Sequence, residues 1–375
     1  MKVIFKKAVI QEIINTVQKA VIAKSVMPIL ECIKIDAYVD GSVVIFANNL
    51  DICIEYKTEA IVNEPGSIAI SSKMFGEIIR RFPDGDVLIN VNEDNFVMML
   101  KCKNSEFNIQ GLSPKEYPSI PEVDEFYTFS IEQQKLKRMI RKTLFSVSQN
   151  EARKPILTGS LFEIETGVLS ITSTDGYRIA KIESTVDANL QNTKFVIPGL
   201  TQRELLKVLE DNDELVEIKI AKRYVKFSFG SFTIISRLLE GEFINCKPIF
   251  NTPNSIVVKA LTKDLSECIE RTALIINDDA MAKNEKVPVR LNIKDEKIEF
   301  TCKTGKGKTS DICEIEKIGD DLEIGFNHRY LLEALRSCED EVVKLEMSNS
   351  KGACFIKPTE NSDYIYMILP VRLYD

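Results

Sequence analysis

The stretch "PILTGSLFEIETGVLSIT" (residues 155–172) repeats a phrase met 127 residues earlier, "PILECIKIDAYVDGSVVIFA" (28–47). Each begins with Pro-Ile-Leu, alternates apolar and polar residues, turns at a Gly and starts a second strand-like run. The echo extends in both directions. Upstream, Ile10, Ile13, Ile14, Val17 and Val21 in one copy, and Leu136, Met139, Ile140, Thr143, Leu144 and Val147 in the other, fall at helical spacing. Downstream, "SSKMFGEIIRRF" matches "TQRELLKVL", and "DVLINVNEDNFVMMLKC" matches "ELVEIKIAKRYVKFSF".

A third copy follows at an offset near 129. It comprises "LTKDLSECIERTALII", "VPVRLNIKDEKIEFTC", "NHRYLLEALRSC" and "EVVKLEMSNSKGACFIKP". The Pro-rich stretches "SPKEYPSIPEVDEF" and "KPIFNTPNS" mark the junctions. The chain of 375 residues therefore reads as three similar α+β domains, 1–124, 125–250 and 251–375.

Composition supports a soluble globular protein, with 44% hydrophobic and 28% charged residues. No apolar run approaches the ~18–20 residues that span a bilayer. The N-terminus has no signal-peptide pattern, so a cytoplasmic location is expected. Nine scattered cysteines without C-x-x-C spacing suggest buried free thiols. His328, the only histidine, is expected on a solvated helix face, which argues against a Ser-His-Asp triad or a histidine-based zinc site.

Two other motifs invite chemistry and fail it. "TGKGKTS" (304–310) has Cys302 where a phosphate-binding loop needs Gly, and strand-like residues follow, so it reads as a basic loop. Asp175 in "TSTDGYRIA" is expected to cap its own turn. With no catalytic set, no metal ligands and no cofactor motif, the chain does not read as an enzyme.

Charge is unevenly spread. The net charge is −7, yet the six helix windows together carry +10 and the remainder −17. The most basic window, "QQKLKRMIRKTLFS", sets Lys137, Arg138, Arg141 and Lys142 on a stripe opposite its apolar face. Helices aligned side by side would form a basic wall suited to phosphate backbone, without base-specific readout.

Six collinear segments resemble the bacterial DNA polymerase III beta subunits: "MPIL", "RKPILTGSLFE", "STDGYRIA", "LLEGEF", "DLEIGFNHRYLLEAL" and "YIYMILPVRL". The resemblance implies three clamp domains per chain and a head-to-tail homodimeric ring, helices lining the hole and sheets outside. Double-stranded DNA would thread the hole without sequence specificity. Implied partners are the replicative polymerase, the clamp loader, and clamp-motif proteins such as repair polymerases, ligase and mismatch-repair factors, with no membrane and a nucleoid-associated location. A paralogous clamp serving repair or a mobile element is the alternative.

By motif, the partner-peptide cleft would comprise Leu157, Thr174, Gly176, Tyr177, Arg178, Ile179, Ile244, Ile249, Met367, Leu369, Pro370, Val371 and Arg372. DNA-facing positions would be Lys24, Lys73, Arg80, Lys137, Arg138, Arg141, Gln149, Arg153, Arg203, Lys207 and Arg336. Phe107 and Ile109 would meet Leu274 and Ile275 of the other subunit. Leu157 would wall the cleft, whereas its counterpart Leu30 would have no such neighbour. Tyr177 stands where the family often has His, Ile244 where it has Pro, Pro248 near where it has a basic residue, and Gly199-Leu200 where it can have a basic pair.

Overall fold

The computed structural model describes residues 1–22, 24–119, 127–150, 154–187, 192–277, 287–360 and 363–373. The strands of the first repeat are β1 (Lys2–Lys6), β2 (Cys32–Ala37), β3 (Ser42–Asn48), β4 (Ile52–Glu59), β5 (Ile61–Glu64), β6 (Gly66–Ser71), β7 (Asp86–Asn92), β8 (Val97–Cys102) and β9 (Ser105–Gln110). The second holds β10 (Tyr127–Glu132), β11 (Gly159–Glu165), β12 (Val168–Thr174), β13 (Arg178–Thr185), β14 (Thr193–Pro198), β15 (Leu215–Ile220), β16 (Tyr224–Phe229) and β17 (Phe232–Arg237). The third holds β18 (Ile256–Leu261), β19 (Val289–Lys294), β20 (Lys297–Thr304), β21 (Gly307–Glu314), β22 (Glu316–Ile318), β23 (Leu322–Phe326), β24 (Val342–Met347), β25 (Cys354–Pro358) and β26 (Tyr364–Ile368). Helices α1 (Lys7–Val17), α2 (Ser72–Arg81), α3 (Gln133–Thr143), α4 (Gly199–Val208), α5 (Thr262–Asn277) and α6 (His328–Arg336) fall in the six expected windows.

Both Pro-Ile-Leu phrases fold alike. Pro28–Glu31 and Pro155–Thr158 are single 3₁₀ turns with Pro in the first turn, where its missing N–H costs nothing, and each feeds a strand. The α1 and α3 patterns stop short of the periodicity. Gln18–Ala20 and Leu144–Ser146 tighten into 3₁₀ turns, and Val21 and Val147 are already extended.

Two compact units result, and every sheet is antiparallel. One comprises Met1–Gln134, Asp187–Asn189 and Arg203–Leu238. It holds a five-stranded sheet, β5-β1-β7-β8-β9, and an eight-stranded sheet, β10-β15-β16-β17-β4-β3-β2-β6. The larger sheet joins the first two repeats through the β4–β17 ladder, Ile52↔Ser236 to Tyr56↔Phe232. On one face Ile33, Ile35 and Ile45 are fully buried, and α1 and α2 lie against this sheet.

The other unit comprises Lys135–Val186, Leu190–Gln202 and Leu239–Asp375. Its nine-stranded sheet runs β14-β11-β12-β13-β26-β25-β24-β18-β22, and a four-stranded sheet runs β21-β20-β19-β23. Here β13 pairs with β26, joining the second and third repeats. "TGKGKTS" is a tight β20–β21 turn whose Lys308 already pairs with Lys303 in the ladder, so it is strand where a loop was expected.

Two other expectations are corrected. His328 is buried, because the helical turn that places Leu331, Leu332 and Leu335 inward carries the first residue of α6 inward too. Burial, with Arg329 adding to it, lowers His328 to about 4, so the imidazole is neutral in the fold. The α3 stripe is also divided. Lys142 is fully buried, donating to the Ser337 carbonyl at 2.9 Å and lying 4.1 Å above the Tyr364 ring. Arg138 pairs with Asp363 at 2.5 Å and Glu339 at 2.8 Å. Burial lowers the Lys142 ammonium against the pull of Glu339. Glu339, which burial alone would raise, is held low by Arg138 and Lys142.

Candidate functional site

The turn between β12 and β13 organises one end of the second unit. Asp175 Oδ1 accepts from the backbone N–H of Tyr177 at 2.9 Å and of Arg178 at 3.2 Å, the capping role read from the sequence. Thr174 Oγ1 accepts from the N–H of Gly176 at 3.1 Å and donates to the Arg178 carbonyl at 2.7 Å. Gly176 sits at φ +89°, a conformation that favours glycine. The turn therefore fixes the direction of Tyr177 and Arg178.

Arg178 is buried at the hub of a polar network. Its Nε donates to Asp175 Oδ2 at 3.0 Å, its guanidinium also pairs with Glu333 on α6, and Nη2 donates to the Phe145 carbonyl at 2.5 Å. The guanidinium carbon lies 4.4 Å from the centre of the Tyr330 ring. A planar, five-donor head suits this arrangement, and Lys does not supply it. Arg178 is thus a structural fastener behind the candidate cleft more than an exposed wall of it.

Beside the turn, Ile179 faces Met367 across the β13–β26 ladder. These two, with Cys246 and Phe355, form a buried apolar cluster against which Ile244, Ile249, Phe250, Ala353 and Ile365 pack. Four residues expected in the cleft, Ile179, Ile244, Ile249 and Met367, therefore meet in one place. Phe355 was missed because strand alternation marks it only as core, and Cys246 and Phe250 because the 3₁₀ turn at Lys247–Asn251 and its cap carry no periodic pattern. Burial pushes the Cys246 thiol up to about 11, so it packs as a small apolar side chain.

The C-terminal tail extends this surface. The N–H of Leu369 donates to the Tyr177 carbonyl at 2.9 Å, and that of Val371 to the Gly325 carbonyl at 2.8 Å. A Cβ on Gly325 would lie 2.5 Å from Leu373, so glycine admits the tail at that point. Leu369, Arg372, Gly176 and Tyr177 are exposed, whereas Leu157, Thr174, Ile179 and Met367 are buried and Pro370 and Val371 are half-buried. The Tyr177 ring stacks on Tyr330 with centroids 6.4 Å apart. The arrangement is an apolar floor with an exposed lip of Tyr177 and Leu369, which is the chemistry of a peptide groove.

The basic positions divide by their partners. Lys24, Lys73, Arg141, Gln149 and Arg203 are exposed. Arg80 pairs with Glu77 at 2.6 Å, Lys207 with Glu204 at 2.7 Å and Arg336 with Glu270 at 2.8 Å. Lys137 is half-buried, and Arg153 lies outside the described residues. Gly199 has no room for a side chain, since a Cβ would stand 2.9 Å from the Thr158 carbonyl oxygen and 3.0 Å from Val147. Leu200 beside it is exposed.

On β9, an edge strand, Phe107 is exposed and Ile109 buried; on α5, Leu274 is exposed and Ile275 half-buried. Among the described residues no helix is long and apolar enough to cross a membrane.

Three family models match in tandem: the DNA polymerase III beta subunit N-terminal domain over residues 1–121, its central domain over 130–245 and its C-terminal domain over 247–372. The chain is 32% identical over 374 residues to the beta sliding clamp of Halalkalibacterium halodurans, covering 96% of this chain and 97% of that one. A crystal structure of a putative DNA polymerase III beta subunit from Eubacterium rectale is similar at TM-score 0.92 and 35% identity, with both chains fully covered. The DNA polymerase sliding clamp of Bacillus subtilis is similar at TM-score 0.94 and 30% identity, again over the whole of both chains. The matching domains run in order through the repeats that carry the turn, the groove and the tail, and the chain belongs to the DNA polymerase III beta subunit family of bacterial sliding clamps.

Proposed function

We propose that this chain is a non-catalytic processivity factor. Two copies would close head to tail around duplex DNA and tether the replicative polymerase through the groove lipped by Tyr177 and Leu369. The observation that carries the tethering role is that groove: an apolar floor of Ile179 and Met367 below an exposed aromatic and aliphatic lip. Short apolar segments of the polymerase, the clamp loader and repair proteins fit such a surface. We keep domain limits of 1–124, 125–250 and 251–375; the first two matched segments fall within theirs, and the third begins four residues before its limit.

Exposed Phe107 on an edge strand and exposed Leu274 on α5 are two different apolar faces of one chain, as a heterologous, ring-closing contact requires. Exposed Lys24, Lys73, Arg141 and Arg203 would meet phosphates without reading bases. Such a factor works in the cytoplasm, on the nucleoid.

The test is loading by the cognate clamp loader onto nicked circular DNA, followed by linearisation. Retention on the circle and loss from the linear form is expected. Equal retention on both would overturn topological tethering. A monomer by light scattering at micromolar concentration would overturn the ring.

A further inference from the structure

The two copies of the opening phrase differ in how they treat one acidic position. In the second, Glu163 on β11 lies opposite Lys194 on β14, and in the first, Asp36 on β2 lies opposite Ser67 on β6. Both pairs are 127 residues apart, so they occupy the same register. Glu163 takes two cations: Lys194 at 2.5 Å and Lys247 at 3.3 Å. Lys247 also reaches Glu165 at 2.8 Å, clasping the sheet from the end of the second repeat.

Neither lysine is kept at the matching sequence position of the first repeat. Ser67 replaces Lys194, and the position 127 residues before Lys247 is Ile120, which carries no charge. Lys34 holds one oxygen of Asp36 at 3.1 Å while also lying 5.2 Å above the Phe46 ring. The other oxygen is buried and has no hydrogen-bond partner among the described residues; Glu163 Oε1 likewise has none by hydrogen-bond geometry, so the two copies differ in their cations, two at Glu163 and one at Asp36. Such an orphaned acceptor is costly and needs an explanation.

An open cavity of about 600 Å³ lies over this place, within the range of ligand sites. Lys34, Asp36, Tyr38, Asp40, Glu55 and Lys57 line it together with Phe46 and Tyr117. Three carboxylates face two ammonium groups there. Lys57 stands a full 4.0 Å from Glu55, and Asp40 already accepts from the Ser42 N–H and hydroxyl. Tyr38 and Val39 at the adjoining hairpin tip are exposed, giving the cavity an apolar rim. Burial, then the carboxylates of Asp36, Glu55 and Asp40, raises the Tyr38 hydroxyl, as a negative surrounding should.

We propose that the cavity over Asp36 is a second docking site, which receives a lysine side chain from a basic segment of a protein partner. The chain itself supplies the template for the ligand, since the Asn245-Cys246-Lys247-Pro248 segment clasps the equivalent position of the second repeat. Reaching the orphaned oxygen requires a lining side chain to turn, and Tyr38, half exposed, has room to do so. The rim of Tyr38 and Val39 would take the apolar neighbours of the incoming lysine, and its ammonium would settle among Asp36, Glu55 and the Tyr38 hydroxyl.

The probe is a blocked hexapeptide, Ile-Asn-Ser-Lys-Pro-Ile, titrated into the full-length protein by calorimetry and by amide chemical shifts. Its partner is the same peptide with norleucine for lysine. Saturable binding with shifts around Tyr38, weakened about tenfold or more by norleucine and by Asp36→Asn, is expected, since a hydrogen bond to a charged group carries roughly that factor. Tyr38→Glu restores the acidic pair of the second repeat and should tighten binding several-fold; the position is exposed, so this variant folds even if Asp36→Asn does not. Equal affinity of the lysine and norleucine peptides overturns the proposal. So do an unchanged or weaker affinity in Tyr38→Glu, no saturation below about 10 mM, or displacement by butylamine at the peptide's own affinity.

Discussion

Ile179 and Met367 are direct cross-strand partners although they come from different repeats. Tyr177 and Leu369, two residues further out on the same strands' ends, are joined by a backbone hydrogen bond of 2.9 Å. One ladder thus builds both the floor and the lip of the groove. The floor is buried and the lip is not, so truncating them has different consequences. Tyr177→Ala and Leu369→Ala should each weaken a clamp-binding peptide about tenfold with an unchanged melting temperature. Leu157→Ala or Met367→Ala should instead cost about 2–5 kcal/mol of stability through the cavity left behind. Peptide titration and thermal unfolding of the four variants check the distinction.

Arg178 answers two carboxylates and a carbonyl at once. Arg178→Ala leaves Asp175 and Glu333 without their shared cation and should destabilise the second unit by about 3 kcal/mol. Arg178→Lys restores charge but not the fork, and should recover less than half of that loss. Denaturant unfolding of both variants measures it.

His328 gives the fold a pH dependence. Its folded value of about 4 lies below the ordinary value of 6.5. Between those values the unfolded chain binds the proton and the folded chain does not, so stability rises with pH across that window. The contribution is present above pH 6.5 and is lost as the pH falls towards 4. His328→Gln should flatten this part of the stability profile, measured by urea unfolding at several pH values.

The cations of the helices should separate by their partners. Replacing Lys24, Lys73, Arg141 or Arg203 by Ala should lower the salt slope of DNA binding by about 1 each. Arg138→Ala should leave that slope nearly unchanged and lower stability, because its charge is spent on Asp363 and Glu339. Salt-dependent binding to a short duplex checks both.

Gly199 is kept small by what surrounds it. Gly199→Ala should destabilise by about 1–3 kcal/mol through overpacking against the Thr158 carbonyl and Val147. Leu200→Lys, at an exposed neighbour, should be tolerated and should strengthen DNA binding. Thermal unfolding and duplex binding measure the pair.

Much of this was legible in residue order. The spacing of Ile10, Ile13, Ile14 and Val17 and its two echoes located α1, α3 and α5, and the downstream phrases located α2, α4 and α6, because helix and strand periods are local properties of a chain with one apolar face per element. The Asp175 turn was legible for the same reason, since its partners lie within three residues.

What the residue order left open is how neighbouring repeats share their sheets. The β4–β17 and β13–β26 ladders are made of backbone hydrogen bonds between distant segments, and backbone groups carry no sequence signature. Burial of His328 and Lys142 was hidden too, since a polar residue on a helix goes inward only when a neighbouring element supplies the cover and the acceptor. The repeat therefore determined by itself that there would be three domains of one design. Only tertiary structure decided which copy of a shared acidic position would take a second cation from a distant segment, as Glu163 takes Lys247, and which would keep only its strand neighbour, as Asp36 keeps Lys34. A long-range ion pair depends on where two separate segments are brought, and no local pattern records that.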